Sequence, residues 1–147
     1  MGMVYAEITL VNAVDLGMSE RHLIDKDEVK QINVRMLVDS GAYIMAINES
    51  IREQLDLSFI EKRKAIMADG SVKEYDVVGP VMAKFANRTA TCNAFVLQGN
   101  NEPLLGVIPM EEMDVMMHPQ RQEQIVNPKH PEYAQLIMKK AGVLLHD

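Results

Sequence analysis

A mainly-β fold is predicted by three observations. Apolar and β-branched residues alternate in several short runs, an Asp-Gly pair sits between two such runs, and helical spacing is confined to one or two short segments. The length of 147 residues supports one core and is too short for two full-sized lobes, so a single domain is expected across 1–147.

Residues 4–14 alternate loosely and carry β-branched side chains, which predicts a first strand. A polar loop is expected next, from Asp15 toward Lys30, because Gly17, Ser19 and the run Asp25-Lys26-Asp27-Glu28 interrupt the apolar pattern; its core, residues 15–28, carries no assignable role. Residues 29–38 read as a second strand ending in Met36-Leu37-Val38. After Asp39-Ser40-Gly41 the chain turns apolar again. A short helix is then expected over residues 48–55, with Asn48 or a neighbour as N-cap and an acidic first turn.

The strongest local signal is a hairpin, Lys64-Ala65-Ile66-Met67-Ala68 and Ser71-Val72-Lys73-Glu74-Tyr75 around Asp69-Gly70, where a type I′ turn is expected. A second hairpin is expected across residues 81–85 and 90–97, with Asn87-Arg88-Thr89 at its tip. Leu104-Leu105-Gly106 reads as a strand end. Pro109 near the first helical position opens a short helix over the methionine-rich residues 110–117. Residues 122–126 and 133–138 fit closing strands, and residues 133–140 fit a helix equally well.

Composition removes whole classes of function. Fifteen Lys and Arg against twenty-one Asp and Glu give a net charge of −6, which opposes broad contact with nucleic acid or anionic membranes. No window approaches the roughly 18 consecutive apolar residues of a membrane span, and the amino terminus has no basic region of the secretory type. With Cys92 as the single cysteine, an intramolecular disulfide is impossible and a reducing, cytoplasmic setting is expected. His22, His118, His130 and His146 show no paired metal-binding spacing, so neither a metal nor a cofactor is expected. Phosphate-loop patterns and the Gly-x-Ser-x-Gly elbow are absent. The twelve methionines are expected to be adaptable core filler, and Cys92 an inert packed thiol.

Two short features carry chemistry together: Met36-Leu37-Val38-Asp39-Ser40-Gly41-Ala42 and, later, Leu104-Leu105-Gly106. Alone, Asp-Ser-Gly after a strand is an ordinary turn, and such a tripeptide occurs by chance in roughly 5 to 10% of chains this long. The order of apolar strand, Asp-Ser-Gly-Ala, hairpin, apolar-apolar-Gly and short helix is more demanding. In that order, over residues 29–117, the chain resembles the retropepsin-like (retroviral-type) aspartic proteases, particularly their bacterial and archaeal relatives. It departs from their pattern in the bulky Tyr43, a longer helix at residues 48–55, and a hairpin tip, Ala68-Asp69-Gly70-Ser71, that is not glycine-rich.

The resemblance implies a closed β-barrel of the acid-protease type, with one or two short helices, a hairpin flap, and an active site formed at a homodimer interface. Hydrolysis by this route needs one neutral carboxyl to donate a proton and one carboxylate to activate water. One chain offers a single such tripeptide, so Asp39 must meet Asp39 of a second subunit, the pair sharing one proton. Ser40 is implied to lock the two loops, Gly41 to allow the tight turn, and Ala42 to leave room for substrate. Leu104, Leu105 and Gly106 are implied to pack beneath the loop, while Met67, Ala68, Asp69, Gly70, Ser71 and Val72 close over an extended peptide. The function expected is therefore a dimeric aspartic endopeptidase. The alternative is a non-catalytic module of the same fold that binds peptides or mediates dimerisation.

Overall fold

The computed structural model describes residues 3–138. Nine strands and three helices follow one another as β1 (Val4–Asn12), α1 (Ala13–Glu20), β2 (Gln31–Val38), β3 (Met45–Asn48), α2 (Glu49–Leu55), β4 (Ser58–Ile66), β5 (Val72–Phe85), β6 (Arg88–Leu97), β7 (Leu104–Leu105), α3 (Val107–Met113), β8 (Val115–His118) and β9 (Glu123–Val126). The mainly-β expectation holds, with three helices rather than one or two. None of the helices described is long and apolar enough to cross a membrane.

Seven strands form one sheet in the order β1-β2-β7-β3-β6-β5-β4, and β1 also pairs antiparallel with β5 over Thr9 to Asn12. That second pairing returns the sheet to its first strand and leaves β4 outside the ring of pairings. Alternation explains why β1 can serve two neighbours: Val4, Ala6, Ile8 and Leu10 face the core while the strand's backbone is bonded on both edges. The core gathers Ile8, Leu10, Met36, Met45, Ile47, Leu55, Leu105 and Met113, all essentially inaccessible to solvent. Three of those eight are methionines, filling an irregular interior as expected of an unbranched, polarisable side chain. Others, such as Met3 and Met138, are exposed.

Several local expectations are corrected. The first strand stops at Asn12, and residues 15–28 are not a loop throughout: α1 occupies their start and a 3-10 turn, Lys26–Glu28, their end. The reason is a cap. Asn12 Oδ1 accepts from the Asp15 N–H at 3.1 Å, and its amide donates to the carbonyls of Leu55 and Asp56, so the chain turns helical inside an apolar run. β2 accordingly begins at Gln31 rather than residue 29. By contrast, α2 starts where expected, with Asn48 Oδ1 accepting from the Ile51 N–H at 2.9 Å.

The Asp69-Gly70 hairpin exists, but not on a type I′ turn, which needs positive φ at both central residues. Only Gly70 has one, at 86°. Gly70 N–H donates to the Met67 carbonyl and Met67 N–H to the Ser71 carbonyl, giving a three-residue loop with glycine in the left-handed position. Asp69 Oδ1 accepts from both the N–H and the hydroxyl of Ser71, which fixes this geometry. In the second hairpin Phe85 pairs with Arg88, so the tip is Ala86-Asn87, and Arg88 and Thr89 belong to β6.

α3 begins at Val107, with Pro109 in its first turn, where a missing N–H costs nothing, and it ends before Asp114. Met116 and Met117 lie in β8 instead. β9 is a strand as expected, yet it pairs with β8 in a separate two-stranded sheet that packs on β1. Residues 133–138 are neither strand nor helix, and the rest of the segment 133–140 lies outside the described residues, as does His146.

The segment after β9 is tied down by polar bonds around Asp114. Asn127 Nδ2 and the Gln135 N–H donate to its carboxylate, His130 Nδ1 lies 2.7 Å from it, and buried Arg88 NH1 lies 3.8 Å away while another guanidinium nitrogen donates to the His130 carbonyl. Burial raises the Asp114 pKa, but the hydrogen bonds from Gln135, Asn127 and His130 outweigh it and hold the carboxyl at about 2.

Candidate active site around Asp39

Asp39 follows directly on β2, where the strand can no longer continue beside β7. β7 is only two residues long, parallel to β2 through Leu37 and Leu104 and through Val38 and Leu105, and antiparallel to β3 through Ala46 and Leu104. The Leu37 N–H donates to the Pro103 carbonyl at 2.9 Å, and the Asp39 N–H to the Leu105 carbonyl at 3.0 Å. The backbone entering the loop is thus held by the apolar strand beneath it.

The loop closes on itself. Ala42 N–H donates to the Asp39 carbonyl at 3.1 Å, and Gly41 N–H donates to Asp39 Oδ1 at 2.9 Å, aiming a backbone donor at the carboxylate. Ser40 and Gly41 are exposed, and Asp39 and Ala42 are half-buried. Beyond the loop, the first two N–H groups of α3 donate to the carbonyls that follow it: Val107 to Ala42 at 2.7 Å and Ile108 to Tyr43 at 3.0 Å. Helix-terminal donors that lack intrahelical partners are thereby satisfied by the loop.

Gly106 makes this approach possible. A Cβ there would stand 2.2 Å from the Ile44 carbonyl oxygen and 2.7 Å from both Ile44 N and the Tyr43 carbonyl carbon. All three are backbone atoms, so no side-chain rotation relieves them. Residues 39–42 and 104–106, widely separated in sequence, therefore form one bonded unit.

Asp39 and Ser40 line a cleft of about 470 Å³. Its apolar walls come from Met3 and Val4 on one side, Leu37 and Val38 below, and Met117 and Pro119 from the β8–β9 hairpin; His118 and Gln122 add polar atoms. The residues 67–72 do not line it. The hairpin that bears them is exposed along nearly all of β4, with Ile66 and Val72 presenting apolar side chains as a cross-strand pair near its tip.

The contributions of Met3, Met117, His118 and Gln122 are not readable from local sequence pattern. The one available signal is the His118-Pro119 pair ending an apolar run, which marks a turn and not a cleft. Among the described residues, no group of three or more His, Cys, Asp or Glu side chains is placed to hold a metal ion. Cys92 lies half-buried in β6, and burial, with the Glu112 carboxylate, pushes its thiol up to about 11.

No curated protein matches the chain by sequence. Among solved structures, it is similar to the retroviral protease-like domain of Ddi1 from Leishmania major, with a TM-score of 0.54 and 12% identity over 87% of this chain and 90% of that one. It is also similar to a retropepsin-like aspartic protease from Rickettsia conorii, with a TM-score of 0.42 and 16% identity over 80% and 85% of the two chains. The first likeness is one of fold. The family model described as "gag-polyprotein putative aspartyl protease" matches residues 28–111, more than half of the chain, and takes in β2, the Asp39 loop, the Asp69-Gly70 hairpin and Leu104-Leu105-Gly106. On that match the chain belongs to the retropepsin-like aspartic protease family.

Proposed function

We propose that the protein is an aspartic endopeptidase that acts as a homodimer, each subunit contributing Asp39 to a pair that shares one proton and activates water against a peptide bond. The observation that carries this reading is the Asp39 loop itself: a carboxylate with a backbone N–H aimed at it, anchored from below by Leu105 and from behind by α3, and opening onto a largely apolar cleft. One such loop per chain leaves the second carboxyl to another subunit. Two like carboxyls at close range cannot both ionise cheaply, so the pair retains a single proton across an acid window.

The remaining parts take roles from the same reading. The ring of strand pairings closed by β1 and β5 supports a closed barrel among the described residues, in a chain read as one domain across 1–147. The exposed β4–β5 hairpin, tipped by Met67, Ala68, Asp69, Gly70, Ser71 and Val72, serves as the flap over an extended peptide. Ser40, exposed at the loop, makes the contact between the two subunits' loops, and Ala42 leaves room for the substrate main chain. The lone thiol Cys92 supports a reducing compartment such as the cytoplasm.

The test is incubation of purified protein with a mixed peptide library from about pH 4 to 7 beside Asp39→Asn, with products read by mass spectrometry. Asn keeps an oxygen that accepts from the Gly41 N–H, so the loop should survive and cleavage should vanish. Full activity in Asp39→Asn refutes the assignment. Silence from both proteins, with a dimer confirmed by sedimentation, leaves the peptide-binding module.

A further inference from the structure

The β8–β9 hairpin lies beyond the residues matched to the family, 28–111, and nevertheless forms part of the wall beside Asp39. Its turn holds one side chain in a fixed state. His118 Nδ1 accepts from the N–H groups of Gln120 and Arg121 at 3.2 and 3.1 Å, and the Gln122 N–H donates to the His118 carbonyl at 2.8 Å. A ring nitrogen accepting two backbone donors carries no hydrogen, so the hydrogen of the neutral ring sits on Nε2. His118 is therefore a donor whose tautomer and orientation are set by its own turn before any ligand arrives.

We propose that His118 is a specificity-determining residue of the Asp39 cleft, donating its Nε2–H to a main-chain carbonyl of an extended peptide whose apolar side chain lies among Met3, Leu37 and Met117. The occupant follows from the walls: thioether and aliphatic side chains make up most of the lining, with polar side chains only at Asp39, Ser40, His118 and Gln122. A main-chain carbonyl entering such a groove loses water and needs a donor in its place. A preset imidazole N–H meets that need without a change of rotamer. The peptide identity of the ligand rests on the proposed endopeptidase reading, whereas the donor and the apolar walls are features of the cleft itself.

The experiment is calorimetric titration at pH 7, in the Asp39→Asn background so that nothing is cleaved. The probes are an acetylated, amidated hexapeptide with leucine at its two central positions and the same peptide with serine there. The leucine peptide should bind at least about tenfold tighter than the serine peptide, as expected of burying two aliphatic side chains. His118→Asn keeps an acceptor for the turn and removes the Nε2 donor, and should weaken the leucine peptide about 3- to 10-fold, the scale of one neutral hydrogen bond. His118→Gln restores a donor near the Nε2 position but gives up the Nδ1 acceptor of the turn, and should recover part of the loss seen in His118→Asn. The amides of Gln120 and Arg121 should keep their protection from hydrogen exchange in His118→Asn.

Unchanged binding in His118→Asn, equal loss in both variants, or no binding of the leucine peptide overturns the proposal. Failure of the wild-type protein to cleave any peptide would instead sink the endopeptidase reading, and this titration, which needs no turnover, would still decide the role of His118.

Discussion

Gly106→Ala is the sharpest test of how the Asp39 loop is built. The added methyl carbon would meet the Ile44 carbonyl oxygen at 2.2 Å, Ile44 N at 2.7 Å and the Tyr43 carbonyl carbon at 2.7 Å, against ordinary contacts beyond about 3.4 Å. Relief requires the 43–44 backbone to retreat from the start of α3 by roughly 1 Å, which stretches the Val107-to-Ala42 and Ile108-to-Tyr43 hydrogen bonds. Overpacking on this scale costs about 1–3 kcal/mol, and two weakened backbone bonds add about 1 kcal/mol each. A loss of about 3–5 kcal/mol is a large part of the stability of a domain this size. Gly17→Ala supplies the internal control: Gly17 lies inside α1 with nothing within 4 Å of a new Cβ, so it should gain about 0.5–1 kcal/mol from helix propensity. Urea unfolding at neutral pH reads both. A Gly106→Ala variant within about 1 kcal/mol of wild type would refute the claim that β7 and α3 lock the loop by backbone contact.

Three further outcomes follow from the geometry. Asn12→Ala should cost about 2–3 kcal/mol by urea unfolding, because a buried side chain loses both its cap of α1 and its bonds to Leu55 and Asp56; Asn48→Ala, which removes the cap of α2 and a solvent-exposed bond to the Asn101 carbonyl from a half-buried side chain, should cost only about 1 kcal/mol. Asp114 has a folded pKa depressed to about 2 from an ordinary 3.8, so its contribution to stability is complete above about pH 4 and is lost as pH falls toward 2. A thermal-melting series across pH 2–7 should show a shallower acid limb and a lower neutral Tm in Asp114→Asn, and an unchanged pH profile would contradict the network. Cys92, with its thiol raised to about 11, should resist iodoacetamide at pH 8 in the native protein and react promptly in urea; equal rates would show that β6 does not shield it.

What the sequence made legible was whatever depends on neighbours in the chain. Asn48 as a cap, the apolar run into Asp39 and the hairpin around Asp69-Gly70 are local signals, and they appear where local chemistry places them. The helix α1 was hidden because its cap, Asn12, sits inside an apolar run and earns its position from Leu55 and Asp56, partners far along the chain. Gly17 and the charges after it pointed to a loop, and tertiary bonds overrode that propensity. The turn at Gly70 differed from expectation through one side chain, Asp69, binding Ser71 in preference to a mirror-image turn. At the candidate site, the Asp39 loop and its Leu104-Leu105-Gly106 support were readable as a pair through family resemblance. The cleft walls from Met3, Met117 and His118 were not, since long-range packing alone brings the β8–β9 hairpin beside β1.

The two-residue strand β7 sits between β2 and β3 although it is made long after both. During synthesis, Asp39 emerges from the ribosome with no Leu105 carbonyl to receive its N–H and no α3 to hold Ala42 and Tyr43. Closing that long stretch of chain is entropically costly and slow compared with forming the β4–β5 hairpin, whose strands are adjacent. The nascent chain therefore carries its key carboxylate in an unassembled loop until residues 104–108 have left the tunnel. Strand order thus makes completion of the Asp39 loop a late event in synthesis.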